Sequence, residues 1–238
     1  MKPDSIKNIL FDLDGTLTDP KEGMTRCLQY ALDRLGLPCP SPAELLVHIG
    51  PPVRQALSVI LKTTDEALIE EALRLYRVRF SDTGLYENEV FAGVPEMLAA
   101  LQRDASRRLF VATSKPLVFT EKILKHFRLT EYFEGIYGSE LSGKLDNKIE
   151  LVRHVLASES LEAAETLMVG DRLYDVLGAR DNGCFSLGVT YGYGSREELK
   201  GAGADLLCDS PQEIAAHFLR SHATPANAPC LESDGAKM

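Results

Sequence analysis

Two aspartates, separated by a single residue, follow the first apolar segment of the chain. The segment reads Ile9-Leu-Phe-Asp-Leu-Asp-Gly-Thr-Leu17, which places Asp12 and Asp14 directly after an apolar run. Residues two apart in an extended segment point to the same side, so the two carboxylates are expected to lie close together. Carboxylates at that spacing repel each other unless a cation lies between them, and Mg²⁺ prefers oxygen ligands. The pair therefore predicts a magnesium site.

The same two aspartates have the chemistry that phosphoryl transfer needs. A carboxylate can attack phosphorus and form a covalent aspartyl phosphate. A second carboxyl group can protonate the departing oxygen and later accept a proton from the attacking water. An Asp-x-Asp-Gly sequence by itself is more often only a turn, so the interpretation depends on what accompanies it.

Two later apolar segments also end in groups that bind phosphate or metal. One is followed by Thr113-Ser-Lys-Pro116, and the other by Asp171, with Asp175 four residues further on. Lys144 and Lys148 lie between these segments. Ligands of open α/β sheets bind at the carboxyl ends of the strands, so strands that end in this way bring their side chains to one edge. The combination predicts one site for phosphate and metal.

Short apolar segments alternate with helical patterns over most of the chain. The segments predicted as strands are Ile9–Leu13, Leu109–Thr113, Gly135–Gly138, Thr166–Gly170, Phe185–Thr190 and Asp205–Cys208. Near-continuous apolar runs of this length are typical of strands buried on both faces of a parallel sheet. The expected fold class is α/β, a doubly wound, mostly parallel sheet with a Rossmann-like core.

Residues 20–89 carry helical patterns only, which predicts an inserted all-helical cap domain after the first strand. Met24, Leu28, Ala31, Leu32 and Leu35 form one apolar stripe, and Gly36 ends it. Ser41, Pro42 and Glu44 are typical of the start of a second helix. Thr63 and Glu66 are expected to begin a third, with Leu68, Ala72, Leu75, Tyr76 and Phe80 on one face.

The remaining residues complete the predicted organisation. Residues 1–19 and 90–222 form the α/β catalytic core in this interpretation, and 20–89 form the helical cap. Residues 223–238 are rich in proline, alanine, serine and aspartate and lack periodicity, so we expect a disordered tail.

Composition excludes several classes of function. The chain of 238 residues carries a formal charge of -9, from 26 basic and 35 acidic residues, which argues against binding nucleic-acid polymers or anionic membranes. No apolar run approaches the roughly 20 residues that span a bilayer. Five cysteines are scattered without a CxxC pair, so neither a zinc site nor disulfides are expected. The simplest interpretation is a reduced, cytoplasmic protein, either a monomer or a homodimer.

The motifs together resemble those of the haloacid dehalogenase-like hydrolases. DLDGTL, the strand that ends at Thr113, a lysine before a helix, and GDRLYD occur in the order of that family's four signature motifs. The helical insert, Gly50-Pro-Pro52 and the segment 189–194 are similar to the phosphoglycolate phosphatase-like branch. The resemblance covers about residues 6 to 220.

The resemblance implies a role for each motif residue. Asp12 is the nucleophile and a Mg²⁺ ligand, and Asp14 is the general acid and base, whose backbone carbonyl also binds the metal. Thr113 holds the transferring phosphoryl group. Asp171 is a metal ligand, and Asp175 supports the metal directly or through water.

Three further side chains are expected to bind substrate. The catalytic lysine is Lys148 or Lys144; Lys148 is preferred because it begins an amphipathic helix that Asn147 can cap, whereas Lys144 follows a glycine in a loop. Ser114, which follows the motif threonine Thr113, is expected to bind substrate. Arg54, after the Gly-Pro-Pro bend of the cap, could hold a second anionic group of the substrate.

The expected function is a Mg²⁺-dependent phosphatase that passes through an aspartyl phosphate. Its substrate would be a small phosphorylated metabolite, phosphoglycolate-like or a 5′-nucleotide. A phosphomutase of the same superfamily and a non-catalytic phosphate-binding module remain as alternatives.

Overall fold

A parallel sheet of short apolar strands forms the centre of the protein. The computed structural model describes residues 3–219, and the tail predicted at 223–238 lies outside them. The strands within this range are β1 (Asn8–Phe11), β2 (Thr18–Asp19), β3 (Glu89–Val90), β4 (Arg108–Pro116), β5 (Gly135–Ser139), β6 (Thr166–Gly170), β7 (Phe185–Val189) and β8 (Leu206–Cys208). Among these residues, six strands form the main sheet in the order β5-β4-β1-β6-β7-β8.

The strand order places the aspartates of the first strand in the middle of the sheet. β1 pairs in parallel with β4 on one side and with β6 on the other. The order of strands along the chain reverses at this point, and such switch points open a crevice at the carboxyl edge. The predicted fold class, a doubly wound and mostly parallel α/β sheet, is confirmed.

Both faces of the sheet are buried, which explains the continuous apolar runs. Ile9 and Phe11 belong to the larger core cluster, whereas Leu10 belongs to a smaller cluster on the other face. Alternate residues of a strand point to opposite faces, so the middle of a strand covered on both sides is mostly apolar. The first polar residues after the run therefore stand at the carboxyl edge of the sheet.

Helices cover the sheet and make up the long insertion. They are α1 (Lys21–Arg34), α2 (Pro42–Leu45), α3 (Val53–Leu61), α4 (Glu66–Arg79), α5 (Val94–Gln102), α6 (Leu117–His126), α7 (Lys148–Glu159), α8 (Leu173–Arg180), α9 (Arg196–Ala202) and α10 (Pro211–Leu219). None of these helices is long and apolar enough to cross a lipid bilayer. α7 and α8 pack on the face that contains Leu10.

A two-stranded ribbon carries the chain into and out of the insertion. β2 and β3 pair antiparallel, with Thr18 opposite Val90 and Asp19 opposite Glu89. Between them lie α1 to α4 and a π-helical turn at Phe80–Gly84. The ribbon was not predicted from the sequence, because strands of two residues are too short to show an alternating pattern.

The helices predicted for the insertion agree only in part with the helices of the structure. The predicted start of α2 is confirmed: Ser41 caps the helix, and Ser41 and Glu44 exchange side-chain and backbone hydrogen bonds. The prediction that Thr63 begins the next long helix is wrong: Asp65 caps α4 by accepting a bond from the Ala67 N–H at 3.0 Å. The buried face of α4 also differs, because Ile69 and Leu73 are buried where Leu68 and Leu75 were expected. α3 was not predicted.

Candidate active site

The end of β1 presents two buried aspartates at the centre of the sheet edge. The Asp12 N–H donates to the Val169 carbonyl at 2.9 Å, which continues the ladder with β6 and fixes the backbone of Asp12. The chain then turns at Gly15, whose φ is +83°. A Cβ atom at this position would lie 2.2 Å from Asp171 Oδ2, so only glycine permits both this turn and the close approach of Asp171.

The end of β4 brings Thr113 and Lys115 to the same edge. The register with β5 shifts between Thr113 and Pro116, so extra residues of β4 bulge out of the pairing. Bulges re-aim side chains and are common next to active sites. Thr113 is buried with its hydroxyl 3.3 Å from the Lys115 N–H, and both side chains line the cavity described below.

The end of β6 supplies Asp171 and, one helical turn later, Asp175. Asp171 Oδ2 accepts a hydrogen bond from the Tyr193 N–H at 2.7 Å, in the loop that follows β7. Asp175 Oδ2 accepts one from the Arg172 N–H at 3.1 Å, which caps the start of α8. Both carboxylates are fully enclosed by protein, with exposed fractions of 0% and 2%.

Asp12, Asp171 and Asp175 form a cluster with the chemistry of a divalent-cation site. One carboxylate oxygen from each lies within 4.8 Å of the others. Asp171 Oδ1 is buried and has no hydrogen-bond partner among the described residues. Burial, together with the neighbouring Asp175 and Asp12, raises the pKa of Asp171 well above its usual range. A hard cation with oxygen ligands would compensate this charge, so the residues fit Mg²⁺.

Asp14 stands apart from that cluster. Its carboxylate forms an ion pair with Lys115 instead, and both side chains are nearly enclosed. Burial raises the pKa of Asp14, against the opposing effect of Lys115. The Asp14 carboxylate therefore lies outside the cluster of Asp12, Asp171 and Asp175, and a contact of Asp14 with a metal would come from its backbone carbonyl.

Lys148, not Lys144, lies among the aspartates. Its Nζ is 2.9 Å from Asp12 Oδ1 and 2.8 Å from Asp175 Oδ1, and it donates to the Ala112 carbonyl at 3.0 Å. Burial by itself would lower the pKa of Lys148, but Asp12 and Asp175 raise it, so the ammonium stays charged. Asn147 caps α7 as the sequence predicts, accepting from the Ile149 N–H at 2.9 Å. Lys144 is 70% exposed and pairs with Glu140 at 2.9 Å.

A cavity of about 500 Å³ opens between this edge and the helical insertion. Asp12, Asp14, Thr113 and Ser114 line its floor. The insertion contributes an apolar wall, formed by Met24, Leu73, Tyr76 and Phe80, and two arginines, Arg54 and Arg77. The core contributes the segment 139–143. Its size is that of a small-molecule site.

Arg54 lines the cavity but is already paired. Its guanidinium forms ion pairs with Glu66 and Glu70 on α4, and 39% of the side chain is exposed. Arg77, which the sequence analysis did not single out, also lines the cavity and donates to the Leu141 carbonyl at 2.8 Å. The second-anion role of Arg54 therefore requires a substrate group to compete with two carboxylates.

Lys115 is a second residue of the site, besides Arg77, that was not singled out from the sequence. It lies two residues after Thr113, and strand alternation alone would have placed it on the same face. Its Nζ contacts Asp14 and lies 5.0 Å from the centroid of the Phe80 ring.

Comparison with known proteins agrees with this geometry. The model of one protein family, described as haloacid dehalogenase-like hydrolase, matches residues 9–189. The chain belongs to this family. The match includes the ends of β1, β4 and β6 and the start of α7, so the whole acidic site of the hydrolase falls within it.

Individual relatives narrow the class of enzyme. A 5′-nucleotidase of Pseudomonas aeruginosa is 53% identical over 193 residues, which cover 81% of the hydrolase and 86% of that protein. A phosphoglycolate phosphatase of Vibrio parahaemolyticus is 30% identical over 222 residues, covering 90% and 96%. The structure of a predicted phosphatase from Clostridium acetobutylicum has a TM-score of 0.86 at 40% identity, covering 90% and 99%. The hydrolase is therefore an enzyme of the phosphatase type, as its motifs predict.

Proposed function

We propose that the hydrolase is a Mg²⁺-dependent phosphatase that cleaves small phosphorylated metabolites through a phosphate bound covalently to Asp12. The observation that carries the proposal is the position of Lys148, whose ammonium joins Asp12 to Asp175 inside the acidic cluster. Phosphoryl transfer depends mainly on alignment and on neutralising charge, and this lysine neutralises the nucleophile where the phosphoryl group would enter.

In the first step, a carboxylate oxygen of Asp12 attacks phosphorus and the bond to the leaving oxygen breaks. The carboxyl group of Asp14 gives its proton to that oxygen, which leaves as an alcohol. Burial raises the pKa of Asp14 and so favours the protonated form that this step requires, while the neighbouring Lys115 has the opposite effect. The Thr113 hydroxyl and the Lys148 ammonium hold the phosphoryl oxygens.

In the second step, a water molecule attacks phosphorus and the bond between phosphorus and the Asp12 oxygen breaks. Asp14, now a carboxylate, accepts a proton from that water, and inorganic phosphate leaves. The enzyme returns to its starting state with Asp12 ionised and Asp14 protonated, so no other reactant is needed. One carboxyl group thus serves as acid and then as base.

Asp12, Asp171, Asp175 and the Asp14 carbonyl would hold the metal. When bound, Mg²⁺ supplies positive charge that allows the Asp12 carboxylate and the anionic phosphate to approach each other.

Residues 20–89 would act as a cap that excludes water from the reaction. They provide the apolar wall of the cavity, and hydrogen bonds of two arginines join them to the core. Arg77 donates to the Leu141 carbonyl of the core, and Arg172 of the core donates to the Ile49 carbonyl of the insertion. Caps of this kind close over bound substrate and open to release product.

The cavity favours a substrate larger than phosphoglycolate. About 500 Å³ exceeds what a two-carbon leaving group fills, and the wall that contains Leu73, Tyr76 and Phe80 suits a ring. A nucleoside 5′-monophosphate fits this description, and the Pseudomonas aeruginosa relative is named a 5′-nucleotidase. Ser114 and Arg54 would contact the leaving group.

The test is phosphate release by the purified enzyme with and without Mg²⁺. The expected result is turnover of p-nitrophenyl phosphate and nucleoside 5′-monophosphates that stops with EDTA and in Asp12→Asn. kcat/KM across a set of phosphorylated metabolites should be higher for nucleotides than for phosphoglycolate. Activity of Asp12→Asn within tenfold of wild type would overturn the mechanism. Transfer of phosphate within a sugar phosphate, without release, would indicate a phosphomutase.

A further inference from the structure

Lys115 is a buried cation that joins the acidic site to the insertion. Its ammonium pairs with the Asp14 carboxylate, and 6% of its side chain is exposed. The same nitrogen lies 5.0 Å from the centre of the Phe80 ring, which is within the range of a cation–π contact. One side chain of the sheet edge therefore touches both the proposed acid and base and a residue of the cap.

The position of Lys115 is built into the backbone of the core. It lies in the bulge where β4 loses its register with β5. The partner strand approaches so closely that a Cβ on Gly138 would lie 2.7 Å from the Lys115 carbonyl. The Thr120 hydroxyl also donates to that carbonyl, at 3.5 Å. These contacts fix the backbone of Lys115 and therefore the position of its Cα atom, from which the side chain extends toward Asp14.

The position of Phe80, on the cap side of this contact, is also fixed by its neighbours. It begins the π-helical turn, in which the Leu85 N–H donates to the Phe80 carbonyl at 3.0 Å. Its ring stacks on Tyr76 of the cap at 5.3 Å and meets Phe119 of the core edge-on at 5.3 Å. π-helical turns occur frequently at functional sites. Here the turn sets the ring beside the ammonium of Lys115.

We propose that Lys115 is a positioning residue for Asp14 and that Phe80 steadies it, so that proton transfer depends on a contact from the cap. The proposal rests on the proposed function, in which Asp14 protonates the leaving oxygen. Lys115 restricts the carboxyl group of Asp14 to one orientation, and the Phe80 ring restricts Lys115 when the cap lies over the site. A cap that moves away would leave Lys115 without this contact and Asp14 less well aligned.

The alternative role for Lys115 is direct binding of the phosphoryl group, because its side chain also lines the cavity. The two roles differ in their dependence on the leaving group. A good leaving group such as p-nitrophenolate departs without protonation, whereas an alkoxide needs the proton of Asp14. Loss of positioning therefore harms alkyl phosphates selectively, and loss of phosphoryl binding harms both substrates equally.

The experiment compares kcat/KM for ethyl phosphate and for p-nitrophenyl phosphate in wild type and Lys115→Met. This ratio reports steps up to the departure of the leaving group. The relative value for the two substrates on one sample does not depend on the fraction of folded enzyme. We expect the preference for p-nitrophenyl phosphate to rise at least about tenfold, a part of what general acid catalysis contributes. An equal loss on both substrates would overturn the proposal.

Phe80→Leu tests the contact from the cap. It keeps an apolar side chain but removes the ring, and we expect the same change in preference, by about two- to fivefold. Phe127→Leu at the end of α6 is the matched aromatic control, and Lys144→Met is the matched lysine control. Both should leave the preference unchanged. If Phe80→Leu keeps the wild-type preference between the two substrates, the contact of the cap with Lys115 does not contribute to proton transfer.

A failure of this inference can be told apart from a failure of the proposed function. Inactive Asp12→Asn together with an unchanged preference in Lys115→Met leaves the phosphatase mechanism standing and removes the positioning role. Active Asp12→Asn removes both.

Discussion

Replacement of Lys148 by methionine should nearly abolish turnover, while the same change at Lys144 should have little effect. Methionine keeps most of the length and the apolar stem of lysine but removes the charge. Lys148 is 4% exposed and lies between Asp12 and Asp175. Without it, two buried carboxylates face each other and the incoming phosphate with one fewer positive charge.

The size of the effect follows from the geometry. Two unit charges 2.9 Å apart, the distance from Lys148 Nζ to Asp12 Oδ1, attract by about 6 kcal/mol at an effective dielectric constant near 20. Only the part that is stronger in the transition state changes kcat, and comparable preorganised groups contribute about 3 kcal/mol. We therefore expect kcat to fall by roughly a hundredfold or more. The pair of Lys144 with Glu140 is exposed and screened by solvent, so its loss should have little effect on stability or turnover.

The assay is kcat at saturating p-nitrophenyl phosphate and Mg²⁺ for both variants. Circular dichroism and a thermal melt are needed as controls, because leaving buried carboxylates unpaired also costs stability. Folded Lys148→Met with kcat within tenfold of wild type would refute the placement of the catalytic lysine. A severe loss in Lys144→Met would refute it as well, and would move the motif by four residues.

Three further outcomes follow from the same site. Asp171→Asn should raise the melting temperature of the metal-free protein by about 2–4 °C. The pKa of Asp171 is raised in the folded protein, so its ionised carboxylate lowers the free energy of unfolding at neutral pH, and asparagine removes that charge. The same change should abolish the increase in melting temperature that Mg²⁺ gives the wild type. A lower melting temperature of metal-free Asp171→Asn would contradict this. Gly178→Ala should lower kcat about tenfold although alanine favours helices, since its Cβ would lie 2.7 Å from Lys148 Cγ; wild-type kinetics would show that Lys148 has room to shift. Arg54→Ala should raise KM for substrates with a second anion more than for p-nitrophenyl phosphate, and equal effects would return Arg54 to its ion pairs with α4.

The strand ends that form the site could be predicted because a buried strand appears in the sequence as a run of apolar residues followed by a polar one. The central residues of β1, β4 and β6 are apolar because both faces are covered, so Asp12, Thr113 and Asp171 stand out as the polar residues that follow them at the shared edge. The start of α7 was also predictable, because Asn147 is a typical N-cap and the apolar periodicity begins after it. Both signals are local, and each depends on one element and its immediate neighbours.

The features that were missed depend on contacts between elements. Strand alternation would have placed Lys115 on the face of Thr113, but the bulge in which it lies exists only in the pairing of β4 with β5, so its contact with Asp14 could not be predicted. The ion pairs of Arg54 with Glu66 and Glu70 arise where α3 packs on α4. The start of α4 was misplaced because the Thr63 hydroxyl also accepts a backbone hydrogen bond, from the Asp65 N–H, so two capping residues stand in one short segment.

The central claim is that phosphate becomes covalently attached to Asp12, and trapping that intermediate tests it most directly. Enzyme mixed with substrate and Mg²⁺ is quenched in acid within milliseconds, treated with borohydride to reduce an acyl phosphate to an alcohol, and digested for mass spectrometry. Asp14→Asn should increase the yield if breakdown slows more than formation. The account predicts homoserine at position 12, absent without substrate and in Asp12→Asn. Rapid turnover with unmodified Asp12 throughout, or with homoserine at a different aspartate, would contradict it.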